Sequence, residues 1–468
     1  MNDEISKNRF LGRKSVQIAY FKPFHGHIHN PGMGIISMAI SDHMTAGYTP
    51  EVWSKTALEK PFKLTQKMLD EVTILPYIDN LYIRVGWDDV QKEKGRLDLI
   101  PEFNMAVEAA EKAGISWGFR IMHCSPSNPK ANLLPEFLAN KLPTVDYDVH
   151  DYYGPNPRKL PIYTEDYLKY WDEMLQMLGG KFDHMPSLEY GDISGFGFWG
   201  EGHHDSYKID QIEKLHLTDN GFIEEIVGRL IKSHEQAFPK TPMVLNLHLS
   251  EFEAGREAIK KGSWVRRDSY YEWFNAPQAE AGILKCGDAA MIFETIMPGI
   301  TMEDFGDPSF QRNNFDTAGS MCDYGANYGI VGFNSLDTLY ADHVMPQLFD
   351  AFKERVGYRL RPSIIWKIEN QDGSWSLVLG IVNDGRANPP GDVTFQAESN
   401  GKIRRSTVNG SRFGGRMYMV ELPLPEGHND TVKLTMALTM KGKSHLIRLA
   451  VDTGKAEAPC ELVIHMYH

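Results

Sequence analysis

The chain has 468 residues, 42% of them hydrophobic. That is enough for two or three domains with a large core, and it excludes a disordered chain. Asp and Glu outnumber Lys and Arg, 62 against 49, for a net charge of −13, and no basic block stands out, which excludes nucleic acid and anionic membrane surfaces as partners.

Short apolar runs alternate with helical patterns along the first three quarters of the chain. "SVQIAYF" (15–21) reads as a strand, and "LYIRVGW" (81–87) as the next. In "PEFNMAVEAAEKAG" (101–114), Phe103, Ala106, Val107 and Ala110 fall at helical spacing, with Pro101 near the start and Gly114 at the end, as helix capping favours. "SWGFRIM" (116–122) is a strand. A helix follows at about 165–178, with Tyr167, Trp171, Met174 and Leu178 on one face. Strands are then expected at 193–199, 242–248, 263–269, 289–294 and 329–334. Helices are expected at 221–238, 251–262 and 277–287, and in the stretch "DHVMPQLFDAFKERVG". Eight strand-and-helix units over about 350 residues predict a TIM (β/α)8 barrel, spanning 1–356. A doubly wound open sheet is the competing arrangement.

From about Gly357 the pattern changes. Runs such as "SWSLVLGIVND", "GDVTFQAE" and "TVKLTMALTM" alternate apolar and polar residues, and turn clusters such as "NPPGD" and "SNGK" separate them. This predicts an antiparallel β-sandwich over 357–468, which either packs against the barrel or binds a ligand itself. The four cysteines, Cys124, Cys286, Cys322 and Cys460, lie far apart and predict neither a disulfide framework nor a zinc knuckle. No apolar run reaches the ~20 residues of a membrane span. The polar opening "MNDEISKNRF" carries no signal-peptide pattern.

The stretch "GFGFWGEGHH" (195–204) contains the letters G-x-G-x-x-G. A dinucleotide-binding loop needs a strand before those glycines and a helix after them. Here the following "EGHHDSYKID" has no apolar helix face, and Phe and Trp fill the variable positions. No nucleotide or other cofactor is expected. Read as a strand with period two, the stretch turns Phe196 and Phe198 outward. Gly195 and Gly197 then relieve crowding inside, and Glu201 emerges at the C-terminal mouth. The strand "AAMIFE" likewise ends in an inward-facing Glu294. These glutamates follow the fourth and seventh expected strands. Two carboxyl groups across one barrel mouth suit glycosidic bond cleavage, in which one protonates the leaving oxygen and the other attacks the anomeric carbon or activates water. Either could instead form a structural ion pair with Arg84, Arg120 or Arg266. Aromatic residues beside polar ones, as in "SYYEWF" and "DYYGPNP", also fit a carbohydrate substrate, although aromatic side chains equally fill cores.

With those residues in place, the chain resembles the clan A glycoside hydrolases. That clan carries an acid/base Glu after strand four and a nucleophile Glu at the end of strand seven. The segment 82–122 is similar to its second βα unit. "NPGMGI" (30–35) and "FWGEGHH" (198–204) resemble bacterial proteins with a barrel-plus-sandwich arrangement. The resemblance implies a β-glycosidase that retains configuration, with Glu201 as acid/base and Glu294 as nucleophile. It makes Arg84, Trp199, His203, His204, His248, Asp268 and Tyr324 candidate substrate contacts. One departure stands out: the clan's Asn before the acid/base is Gly200 here. A sugar-binding barrel without catalysis is therefore a further reading. Another is a metal-dependent barrel hydrolase using His25 and His27, with His29, from "FHGHIHN" just after the first expected strand. That reading lacks the His on strand six and the Asp on strand eight that such enzymes use.

Overall fold

The computed structural model describes residues 10–40, 64–126, 128, 130, 132–147, 158–203, 213–216, 219–268, 270, 275–294, 308–332 and 334–466. Parallel strands Gly34–Ile40, Ile78–Gly86, Ser116–Met122, Leu188–Asp192, Met243–Asn246, Trp264–Arg267, Met291–Glu294 and Tyr328–Val331 close into a barrel of eight. The eighth strand pairs with the first, Tyr328 opposite Gly34.

Alternation along each strand divides its side chains between two cores. On the second strand, Leu81, Ile83 and Val85 join the layer between barrel and helices, where Phe103, Ala106 and Ala110 of helix Pro101–Ala113 meet them. That helix ends at Gly114 in a left-handed conformation, as its sequence predicts. Tyr82 instead joins Tyr190, Trp264 and Tyr328 inside the barrel. A Cβ on Gly118 would lie 2.3 Å from the Tyr190 ring, so this strand position must be glycine for the ring to fit.

The C-terminal region forms two antiparallel sheets. One contains Leu360–Glu369, Trp375–Asn383 and Tyr418–Pro423. The other contains Asp392–Ser399, Lys402–Asn409, Thr431–Met440, Lys443–Ile447 and Glu461–His465. Their facing side chains, among them Leu377, Leu379, Val393, Phe395, Leu434 and Leu438, belong to the same apolar cluster as the barrel interior. The sandwich therefore closes the base of the barrel with a continuous core. Lys443 pins the contact, its Nζ donating at 3.0 Å to the carbonyls of Met185 and Leu188 and to Thr241 Oγ1.

Two sequence expectations are corrected here. The strand Ser15–Tyr20 is not in the barrel; it pairs antiparallel with Leu360–Glu369 in the sandwich. The first barrel strand is "GIISMAI", Gly34–Ile40, buried along its whole length. The fourth strand is Leu188–Asp192, so the run expected at 193–199 lies beyond its end.

Candidate active site at the barrel mouth

Inward positions near the C-terminal strand ends carry charge instead of apolar groups. Arg84, Arg120, Asp192, Asn246, Arg266 and Glu294 are all buried. Glu201 reaches the same place from the glycine-rich loop. Gly195, Gly197, Gly200 and Gly202 all have positive φ, as does Trp199 at 55°, a region where glycine carries no Cβ penalty. The loop folds back on itself. Glu201 N donates to the Phe198 carbonyl at 3.0 Å, and Gly202 N to that of Phe196 at 3.0 Å. Tyr163 and Tyr167 hold its outer side, the former accepting from Gly197 N and the latter donating to the Gly195 carbonyl. Phe196 and Phe198 are buried in the outer apolar layer. The glycines thus serve the turns of a loop; they are not inward gaps on a strand.

The charges form one network. Arg84 Nη1 donates to Glu294 Oε1 at 2.9 Å and stands 3.8 Å from Glu201 Oε1. Arg266 Nη1 donates to Glu294 Oε2 at 3.0 Å, and its Nε is 3.0 Å from Asp192 Oδ2. Arg120 donates to Glu201 and, from Nε and Nη2, to Asp192 Oδ2 at 3.0 and 2.7 Å. Tyr82 OH donates to that same Asp192 oxygen at 2.6 Å, and its ring lies 4.3 Å from the Arg266 guanidinium carbon. Burying ions costs several kcal/mol each, and apolar replacements are often neutral or stabilising. Such a cluster at the mouth of a barrel marks a candidate functional site.

A second group adjoins it. Asp268 takes Asn246 Nδ2 at 3.0 Å and Arg267 Nη1 at 2.6 Å on Oδ1, and His203 Nε2 at 3.1 Å on Oδ2. His248 Nε2 is 3.5 Å from Oδ1. Burial alone would raise Asp268, but His248, His203 and Arg267 outweigh it and hold the carboxyl well below its ordinary value. Glu201 is shifted the other way. Burial, then the charge of Asp268, push it up to about 7, against the pull of Arg120 and Arg84. Ligand atoms of His203, His248 and Asp268 lie within 4.8 Å of one another. Arg267 Nη1 already contacts both Asp268 and His248 Nε2, the latter at 3.3 Å, so a cation competes with a metal ion for two of these three ligands.

The structure brings together Glu201, Glu294, Arg84, His203, His248 and Asp268, with the half-buried Trp199 ring 5.7 Å from that of His203. His204 lies outside the described residues. Tyr324 does not join them. It ends the helix that precedes the eighth strand, and its hydroxyl donates to the Ala279 carbonyl. His25, His27 and His29 precede the first barrel strand. His27 and His29 contact Asp79 at the N-terminal end of the second strand, so they do not form the mouth site of a metal-dependent hydrolase. Sequence reading had assigned no function to Tyr82, Asp192, Asn246 or Arg267, and had treated Arg120 and Arg266 only as ion-pair partners. One signal could have found several of them: each of Tyr82–Arg84, Gly118–Arg120, Tyr190–Asp192 and Trp264–Arg266 steps two residues along an apolar strand to a charge near its C-terminal end.

No family model and no curated protein matches the chain. Among solved structures, the chain is similar to the catalytic domain of a β-amylase from Paenibacillus polymyxa (10% identity, 68% of this chain and 99% of that one, TM-score 0.42). It is similar to endo-glycoceramidase II from Rhodococcus sp. (11%, 87% and 100%, TM-score 0.42). It is also similar to a glycoside hydrolase family 5 enzyme from Prevotella bryantii (12%, 72% and 99%, TM-score 0.42). The residue assignments rest on the geometry above.

Proposed function

We propose that the chain is a β-glycoside hydrolase working by retaining double displacement, with Glu201 as acid/base and Glu294 as nucleophile. One observation carries this reading. A single guanidinium nitrogen, Arg84 Nη1, reaches both carboxylates, at 2.9 and 3.8 Å. Those two lengths cap the separation of the oxygens. The cap applies to the nearest oxygens and accommodates the ~5–5.5 Å of a retaining pair of carboxyl groups; product stereochemistry tells it from an inverting pair at ~6.5–9.5 Å.

The chemistry follows from the environments. Glu201, raised to about 7 by burial and by Asp268, is poised near neutral pH to hold a proton for the leaving glycosidic oxygen. Both Glu294 oxygens accept from arginines, which orients the carboxylate for attack on the anomeric carbon. A bond then forms from carbon to Glu294 as the bond to the leaving oxygen breaks. Water, deprotonated by Glu201, reverses the step and frees the sugar. Trp199, His203 and His248 stand at the side of Glu201 and supply a ring face and polar contacts for the carbohydrate.

The test is hydrolysis of a panel of aryl β-glycosides by the full chain and two variants. Glu294→Gln abolishes turnover on every substrate. Glu201→Gln lowers it about 10²–10⁴-fold on poor leaving groups, spares activated ones, and yields a β-glycosyl azide when azide is added. Full activity in Glu294→Gln would refute the assignment. An inverted first product would remove the retaining step. Binding without turnover by the unsubstituted chain would point to a sugar-binding barrel.

A further inference from the structure

At the other end of the barrel, a cavity of about 770 Å³ opens between the strand starts and the sandwich, lined in part by His29, Asp79, Glu111, Glu189, His445 and Arg448. We propose that His29 and Asp79 in its wall, with the adjoining His27, form a site for a divalent transition metal of the zinc class.

The placement of Asp79 is specific. It is the second residue of its strand, and its Oδ2 accepts from Ile35 N at 2.8 Å. Gly34 has φ 131°, and a Cβ there would lie 1.9 Å from that oxygen. Asp79 holds its position only because residue 34 is glycine. Its other oxygen, Oδ1, faces two imidazoles, His27 Nε2 at 3.0 Å and His29 Nδ1 at 2.7 Å. The rings stand edge to face, and the three ligand atoms lie within 4.8 Å of one another.

A ligating histidine usually donates its second ring nitrogen to a carbonyl or carboxylate, and the Pro76 backbone, whose one polar group is its carbonyl, is within hydrogen-bonding reach of the His29 ring. His27 Nε2 faces Asp79 Oδ1 at 3.0 Å and its buried Nδ1 has no partner among the described residues, so a metal here would take the place of the Nε2 proton.

Three ligands of N, N and O type leave a fourth position open to the cavity, as in zinc sites that keep a water. Ligand atoms around tetrahedral zinc stand about 3.3 Å apart. His29 must therefore withdraw slightly from Asp79, which a side chain 47% exposed allows. The mouth cluster differs, because there Arg267 contacts two of the three ligand residues. Here the nearby guanidinium, Arg448, is engaged with the Ala458 carbonyl at 2.8 Å and Glu457 at 2.9 Å. A metal at this point would staple the segment before the first barrel strand to the second strand. The sandwich already grips that segment through Phe24 N to Ala450 O and through Asn30 with Arg448.

The experiment uses the untagged full chain, freed of metal by chelator and titrated with Co²⁺. The expected result is one equivalent bound with tetrahedral visible bands, displacement by Zn²⁺, and a rise in Tm with Zn²⁺. His29→Ala, at a half-exposed position, and Asp79→Asn each weaken binding at least about tenfold, while His203→Ala leaves it unchanged. The absence of bands and of a Tm shift would overturn the proposal. So would bands that persist in both His29→Ala and Asp79→Asn, or that vanish in His203→Ala.

Discussion

The charge of Asp268 is the largest electrostatic contribution raising Glu201, after burial itself. Replacing it by Asn removes that charge while keeping the shape. The size of the effect follows from His203, whose Nε2 lies 3.7 Å from Glu201 and 3.1 Å from Asp268, so the two carboxylates sit on either side of one nitrogen. Unit charges about 6 Å apart at an effective dielectric constant of about 20 repel by about 3 kcal/mol. That corresponds to about 2 pKa units, and relaxation of Arg267 and the histidines reduces it, so a fall of about 1–2 units is expected. The sign for stability follows. Glu201 stands above its ordinary 4.5, at about 7, so between those values the folded chain binds the extra proton and loses stability as pH rises through about 7. Asp268→Asn moves that loss to lower pH. The assay is a carboxyl-carbon NMR titration with labelled glutamate, alongside the alkaline limb of the pH–rate profile on an aryl glycoside. A Glu201 value that stays in place or rises would refute the electrostatic account.

Two glycine substitutions test the architecture. Gly118→Ala puts a methyl group 2.3 Å from the Tyr190 ring inside the barrel, so the denaturant midpoint should fall by an amount equivalent to about 1–3 kcal/mol; an unchanged midpoint would contradict the packing. Gly197→Ala combines a φ of 73° with a Cβ 2.6 Å from the His203 carbonyl. It should displace Glu201 and reduce kcat/KM by about 10²-fold while far-UV circular dichroism stays native; unaltered kinetics would show that the loop does not position Glu201.

The barrel was legible because most of its strands carry a period-two pattern between amphipathic helices. Ser116–Met122 shows this in the alternation of Trp117, Phe119 and Ile121 with inward Gly118 and Arg120. Gly34–Ile40 was missed because it is buried on both faces and shows no alternation. "SVQIAYF" took its place because a sandwich edge strand and a barrel strand look alike in so short a run. The glutamates were found from their positions near strand ends, although for Glu201 the local geometry was wrong: a strand fits those letters, but four positive-φ glycines make a loop. The arginines that hold both carboxylates come from three different strands, and their convergence is a product of barrel closure that no local spacing encodes.

The pairing of Ser15–Tyr20 with Leu360–Glu369 has a consequence for synthesis. Phe21, at the end of the early strand, is anchored by Arg361, 340 residues further along the chain. At ~5–20 residues per second, the ribosome needs roughly 20 to 70 s to deliver that partner. Through that interval the early strand has an unmatched edge and carries Val16 and Tyr20, apolar side chains that remain largely exposed even in the finished fold. The nascent chain therefore presents a sticky strand edge until the whole barrel has been made, and in crowded translation another copy of the same strand is a competing partner.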